Sequence, residues 1–317
     1  MTHSPSTPTS DAPEEAPEGA SPACVMVFNA SDPSGAGGLT ADIATIASVG
    51  GHPVAVVTGA YVRDTSEIFD HYSFDDEAVT DQARAALEDL PVQAIKVGFV
   101  GSPENISAIA ELTADYADLP VISYMPNLSW WQDSLIDQYL DAFRELMLPQ
   151  TTVLVGNHST LWRWLLPEWG REHSPTARDL AAAAAEMGTP YTLVTGIPLP
   201  EQFVDNVLAS PETVLGNGRF ELFDATFTGA GDTLSAALTA LVACGSDLGE
   251  ACSEALGYLD RCLDNGFRPG MGHIVPDRLF WAEPDDDAEG ADDAAPGQDI
   301  DLPSVDGFVL PPHDTKH

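Results

Sequence analysis

Between Cys24 and Asn265, short apolar runs rich in β-branched residues alternate with stretches whose apolar residues recur at helical spacing, and no other feature narrows the possible folds as much. Strands are expected at Val25–Phe28, Val54–Thr58, Ala94–Phe99, Val121–Tyr124, Val153–Val155, Tyr191–Val194 and Gly218–Phe223. Helices are expected over Leu39–Val49, Ala78–Leu90, Asn105–Tyr116, Leu135–Leu146, Thr176–Met187, Ala230–Cys244 and Ser253–Asn265, with Thr176 suited to an N-cap. A chain that runs strand, helix, strand brings its strands together side by side in the same direction. The sheet is therefore largely parallel, with helices on both faces. In such a fold, ligands bind where loops leave the carboxyl ends of the strands. No internal repeat is visible.

Two acidic segments, 1–23 and 283–317, are expected to be disordered. They cannot bury enough apolar surface to offset their chain entropy. That leaves one folded domain of residues 24–282. The 317-residue chain carries 50 acidic residues against 12 Lys and Arg, a formal charge of −38. The end segments hold 15 of those acids and one base, so 35 acids, 11 bases and a charge of −24 remain on the body. Lys96 and Lys316 are the two lysines of the chain. No basic patch can be assembled, which excludes nucleic acid as a partner and disfavours an anionic membrane surface. No apolar run approaches the roughly 18–20 residues of a membrane span, and the N-terminus lacks a secretory pattern, so a cytoplasmic location is expected. Cys24, Cys244, Cys252 and Cys262 form no CxxC pair and read as reduced thiols. Self-repulsion of the acidic body should ease as salt screens it.

Two segments carry chemistry. In Thr226-Phe227-Thr228-Gly229-Ala230-Gly231-Asp232-Thr233, a glycine turn opens a long apolar helix. The free N–H groups and positive dipole end of that helix make a phosphate site, and glycine lets the anion approach the backbone. Asp232, in the first helical turn, either accepts the proton of a hydroxyl attacking a γ-phosphoryl group or merely complements the helix dipole. The second segment, Asn29-Ala30-Ser31-Asp32-Pro33-Ser34-Gly35-Ala36-Gly37-Gly38, links the first strand to the first helix, which carries Asp42. It has neither GxGxxG nor GxxxxGK[ST] spacing, so it is neither a Rossmann fingerprint nor a P-loop. A Gly-rich polar loop at that place still reads as a small-ligand site.

Together these segments resemble the ribokinase-like small-molecule kinases, above all the hydroxymethylpyrimidine/phosphomethylpyrimidine kinase family. Val56-Val57-Thr58, Ile95-Lys96-Val97-Gly98 and Leu193-Val194-Thr195-Gly196 extend the resemblance over most of 24–282. It implies a three-layer α/β/α domain without a separate lid, commonly a homodimer, that uses ATP and Mg2+ to phosphorylate a hydroxymethyl group and then the resulting monophosphate. It further implies that Asp232 with Gly229, Ala230 and Gly231 is catalytic. Asp42, Arg63, Ala30 and Gly98 would bind substrate, and Asn157, Thr195, Gly196 and Thr228 the nucleotide. The metal ligands stay unassigned.

The chain departs from the family pattern in several places. Asp232 stands where the pyrimidine kinases usually have cysteine, as in the sugar and pyridoxal kinases. Arg63 stands where a glutamine usually reads the pyrimidine, and a guanidinium donates only, although it can pair with an anionic ligand group. Tyr124, Thr160 and Thr195 replace an aspartate, a glutamate and a lysine that the family places near metal and phosphates, which weakens metal–nucleotide binding. The tryptophans Trp130, Trp131, Trp162, Trp164 and Trp169 read either as ordinary packing or as bulk that fills this region or a subunit contact. His158 and His273 lack paired ligand spacing and read as structural. The loop 265–273 reads as a turn or as a border of the adenine site. Two alternatives stand beside the pyrimidine kinase reading: a catalytically impaired ligand-binding homologue, and a pyridoxal- or sugar-type kinase of the same superfamily.

Overall fold

A computed structural model of the protein describes residues 21–282. The acidic segments expected to be disordered lie outside the described residues, except Ser21–Ala23, where the Ala23 carbonyl accepts a hydrogen bond from His52 N. The strands are β1 (Cys24–Ser31), β2 (His52–Arg63), β3 (Ile68–Ser73), β4 (Val92–Val97), β5 (Val121–Met125), β6 (Val153–Asn157), β7 (Tyr191–Leu199), β8 (Phe203–Ala209) and β9 (Val214–Glu221). The helices are α1 (Gly38–Ser48), α2 (Asp76–Leu87), α3 (Pro103–Asp115), α4 (Asp133–Ala142), α5 (His158–Leu165), α6 (Ala177–Glu186), α7 (Ala230–Ala243) and α8 (Leu248–Asp264).

One sheet takes the order β3-β2-β1-β4-β5-β6-β7-β8-β9. Its centre, from β2 to β7, is parallel, whereas β3, β8 and β9 pair antiparallel at the flanks. Because side chains alternate along a strand, β1 feeds two layers. Val25 and Val27 pack on Leu39 and Ile46 of α1 and Ala236 and Ala240 of α7. Met26 and Phe28 join Ile106 and Ile109 of α3 in the opposite layer. Burying both faces explains why the central strands read as unbroken apolar runs.

Every expected element is present. Three were not expected: β3, β8 and α5. β2–β3 forms a half-exposed hairpin whose charged residues break the apolar alternation. β8 carries Asp205 and Asn206 inside its run, and α5 has only eight residues, too short for a periodicity to show. The helix expected over Leu135–Leu146 passes at Phe143 into a π-helical turn ending at Met147. Thr176 does cap α6, in a reciprocal capping box with Asp179. Among the described residues no helix is long and apolar enough to cross a membrane. All four cysteines are free, and only Cys244 is exposed.

Candidate functional site

β1 delivers the chain into the Gly-rich loop, and Asp32 folds that loop around its own carboxylate. Oδ1 accepts from Ser34 N at 2.8 Å and Ser34 Oγ at 2.6 Å, and Oδ2 accepts from Gly37 N at 2.7 Å. Arg63, at the end of β2, places Nη1 3.3 Å from the same Oδ2. Gly38 has a φ of 57° and opens α1 against Ala30. A Cβ at 38 would lie 2.5 Å from the Ala30 carbonyl oxygen.

The N-terminus of α7 meets this loop edge to edge. Gly229 holds a φ of 90°, and a Cβ there would lie 1.6 Å from the Ala36 carbonyl oxygen. α7 has no capping side chain, so the N–H groups of its first turn stay available to an anion. Arg278, 7% exposed, locks the junction. It donates to Ala36 O at 2.6 Å, Gly35 O at 3.3 Å and Thr233 Oγ1 at 3.0 Å, while the Thr233 hydroxyl donates to Gly229 O.

Beneath the junction lies a buried charge cluster. Lys96, the second-last residue of β4, is fully buried and contacts Asp42 Oδ1 at 2.5 Å and Asp232 Oδ1 at 3.0 Å. Asn29 Nδ2 donates to both carboxylates, at 2.8 and 3.0 Å, and Gly38 N donates to Asp232 Oδ2 at 3.0 Å. Burial raises the Asp42 pKa to about 6, against the pull of Lys96 and with a further push from Asp232. Burial works the same way on Asp232, but there Lys96, the Gly38 amide and Asn29 prevail and hold its carboxyl below the usual range. Of the two carboxyls, Asp232 is the one that ionises first.

A cavity of about 540 Å³ opens over this cluster, lined among others by Gly38, Tyr61, Arg63, Tyr124, Trp130, Thr228, Gly229, Asp232 and His273. The structure therefore brings Asp232, Gly229, Thr228 and Arg63 into one cavity. Three residues expected to touch substrate do not reach it. Asp42 is fully buried because it turns inward to the Lys96 ammonium. Ala30 is fully buried, its N–H spent on Asn29 Oδ1. Gly98 is buried under the Asn29 side chain, 2.4 Å from where its Cβ would be. These three shape the base of the site without lining it.

The residues expected at the nucleotide, other than Thr228, gather elsewhere. Asn157, the last residue of β6, pairs with Thr195 midway along β7, and the Asn157 amide lies 2.6 Å from where a Cβ of Gly196 would be. Asn157 Oδ1 caps α5 through Ser159 N. They form a second cluster along the carboxyl edge of the sheet, outside the cavity wall. The tryptophans do not plug the α7 end. Trp130 lines the cavity beside Tyr61 and Phe99, Trp131 packs on Phe99 and Tyr139, and Trp164 is buried in the core. His158 bonds the Pro175 carbonyl, and His273 bonds the Thr228 hydroxyl from the 265–273 loop. That loop also takes Thr65 of the β2–β3 turn through Gly272 N and His273 N.

Sequence reasoning missed Lys96, Asn29, Asp32 and Arg278. Lys96 carried a signal, since it is the one lysine of the folded body and stands inside an apolar strand. A buried lysine needs partners. Arg278 carried none. Metal-binding side chains are sparse: among the described residues no three His, Cys, Asp or Glu side chains cluster around one point. Both oxygens of Asp232 already serve protein donors, and Tyr124 offers a phenol where a carboxylate would be needed, so the residues present do not fit a magnesium cradle.

A family model described as phosphomethylpyrimidine kinase matches residues 32–277. The hydroxymethylpyrimidine/phosphomethylpyrimidine kinase of Streptomyces coelicolor is 28% identical over 263 residues, covering 82% of this chain and 96% of that protein. The pyridoxal kinase of Staphylococcus aureus, solved with AMP-PCP and pyridoxal, superposes with a TM-score of 0.72 at 19% identity, covering 83% of this chain and 95% of that one. A phosphomethylpyrimidine kinase structure from Clostridium difficile gives a TM-score of 0.60 at 21% identity, over 75% and 97% of the two chains.

Proposed function

The chain belongs to the phosphomethylpyrimidine kinase family, and on that premise we propose that it transfers the γ-phosphoryl group of ATP to hydroxymethylpyrimidine and then to the resulting monophosphate, the kinase chemistry of thiamine biosynthesis. One observation carries this reading: an ionised carboxylate, Asp232, stands in the first turn of an uncapped helix and faces a cavity of about 540 Å³. The substrate hydroxymethyl group enters that cavity and gives its proton to Asp232 as its oxygen attacks phosphorus. The amides of Gly229, Ala230 and Gly231 hold the phosphoryl oxygens. Lys96 and Asn29 fix the base in place, and Arg63, with Tyr61 and Trp130, bounds the substrate side.

ATP is the phosphoryl donor, and Asn157, Thr195 and Gly196 border its outer part. Magnesium would be held by the nucleotide phosphates, since the described residues offer it no carboxylate cluster. The active unit is a homodimer in the cytoplasm, with residues 24–282 as the kinase domain. The partner-facing surface is the β2–β3 edge, where Val62, Phe69 and Tyr72 are 41%, 61% and 64% exposed.

The test is ATP consumption against hydroxymethylpyrimidine, its monophosphate, pyridoxal and ribose. Turnover of the first two supports the reading, and absence of turnover with either removes it. Arg63 on the cavity wall favours a second reading, a pyridoxal-type kinase, which preferential turnover of pyridoxal would establish. Saturable binding of Mg-ATP in calorimetry without turnover of any alcohol would establish a ligand-binding homologue instead.

A further inference from the structure

Tyr124, the second-last residue of β5, lines the cavity, and its hydroxyl makes no hydrogen bond to the described residues. The ring lies over Lys96, with Nζ 5.7 Å from the centroid. A Cβ built on Gly231 would sit 2.1 Å from the phenol oxygen, so the hydroxyl rests against the first turn of α7, on the side where glycine leaves room for it. The group is therefore an unspent donor beside the uncapped amides and beside Asp232. Burial first, then the charges of Asp232 and Asp42, push its ionisation far above the ordinary phenol range, so it keeps its proton.

We propose that Tyr124 is a catalytic residue of the phosphoryl transfer, its hydroxyl donating a hydrogen bond to the γ-phosphoryl group as that group passes between ATP and the alcohol. This rests on the kinase reading above. The new bond forms from the alcohol oxygen to phosphorus, and the alcohol proton passes to the Asp232 carboxylate. The bond from phosphorus to the β,γ-bridging oxygen breaks, and ADP leaves with its electron pair. Tyr124 retains its proton throughout.

Charge explains why a phenol suits this place. Asp42 and Asp232 share one lysine, so the cluster with both carboxylates ionised carries one net negative charge. A third carboxylate at 124 would repel the nucleotide phosphates unless a bound cation intervened. A neutral donor adds no charge and offers its hydrogen where negative charge collects on the equatorial oxygens in the transition state.

The experiment compares wild type with Tyr124→Phe, which keeps the ring and its packing. With saturating ATP and hydroxymethylpyrimidine, kcat should fall about tenfold or more while KM for the alcohol stays within about twofold. An unchanged kcat overturns the proposal, and so does a raised one, which would mean that the hydroxyl obstructs the cradle. A second arm needs no turnover. Inorganic tripolyphosphate titrated by calorimetry should bind Tyr124→Phe about threefold or more weaker than wild type, and equal affinity overturns the contact. If wild type phosphorylates nothing on the panel but the tripolyphosphate difference persists, the kinase reading fails and the Tyr124 contact stands. If wild type is active and neither arm moves, the reverse holds. In Tyr124→Asp, magnesium in excess of ATP should restore activity, and it should not activate wild type.

Discussion

Lys96 Nζ stands 3.0 Å from Asp232 Oδ1 and, on its other side, in contact with Asp42, so one buried ammonium joins the first turn of α7 to α1 through the middle of the sheet. The same lysine thereby sets the position and the charge of the carboxylate at the reaction centre.

Lys96→Met leaves two buried carboxylates without their cation. Stability should fall by about 3–5 kcal/mol, read by urea unfolding. In protein that remains folded, the acidic limb of the kcat profile should move to higher pH, because the charge that lowers the Asp232 pKa is gone. An unmoved limb would show that Lys96 only supports packing.

Asp232→Ala should lower kcat by about 10²–10⁴ while calorimetric affinity for the pyrimidine alcohol stays within a few-fold. Turnover at the wild-type rate would remove the base assignment.

Asp42 binds its proton more tightly in the folded protein, with a pKa of about 6 against 3.8 for the free group. Its contribution to stability is complete below the lower value and is lost as pH rises through the upper one. Asp42→Asn, which has no such proton to lose, should therefore gain on wild type as pH rises from about 4 to 6. Chemical denaturation of both proteins across that range measures the difference, and a constant gap would refute it.

Gly35→Ala and Gly229→Ala separate two costs. Both positions have positive φ, but a Cβ at 35 meets nothing within 4 Å, whereas one at 229 overlaps Ala36 O. The first should cost about 1–2 kcal/mol of backbone strain. The second should cost clearly more and should also abolish tripolyphosphate binding, since the turn must open. Equal melting temperatures for the two variants would contradict this.

Arg278→Leu removes three hydrogen bonds, two of them buried, that tie the Gly-rich loop to α7. A loss of about 3 kcal/mol is expected, with KM raised for both substrates because the loop and the cradle lose their register. Thermal melts and steady-state kinetics check the pair of effects.

Much of this could be read along the chain. Unbroken apolar runs such as Val25-Met26-Val27-Phe28 give buried parallel strands, because both faces of a covered sheet exclude water. The glycine turn before Asp232 marks a helix start open to an anion, because local backbone geometry alone decides that. Helix α5 and strand β8 escaped because eight residues, or a run broken by Asp205-Asn206, show too little periodicity.

What the sequence by itself determined is therefore local: which segments become strands and helices, and where free amides meet a carboxylate. What the tertiary structure decided is which polar groups share a partner. Asp42 and Asp232 look alike in sequence as early carboxylates on apolar helices. Only the packing of α1 and α7 against β4 puts Lys96 between them, burying Asp42 and leaving Asp232 with one face on the cavity. Long-range electrostatics depends on distances that chain separation does not encode, 54 residues in one case and 136 in the other.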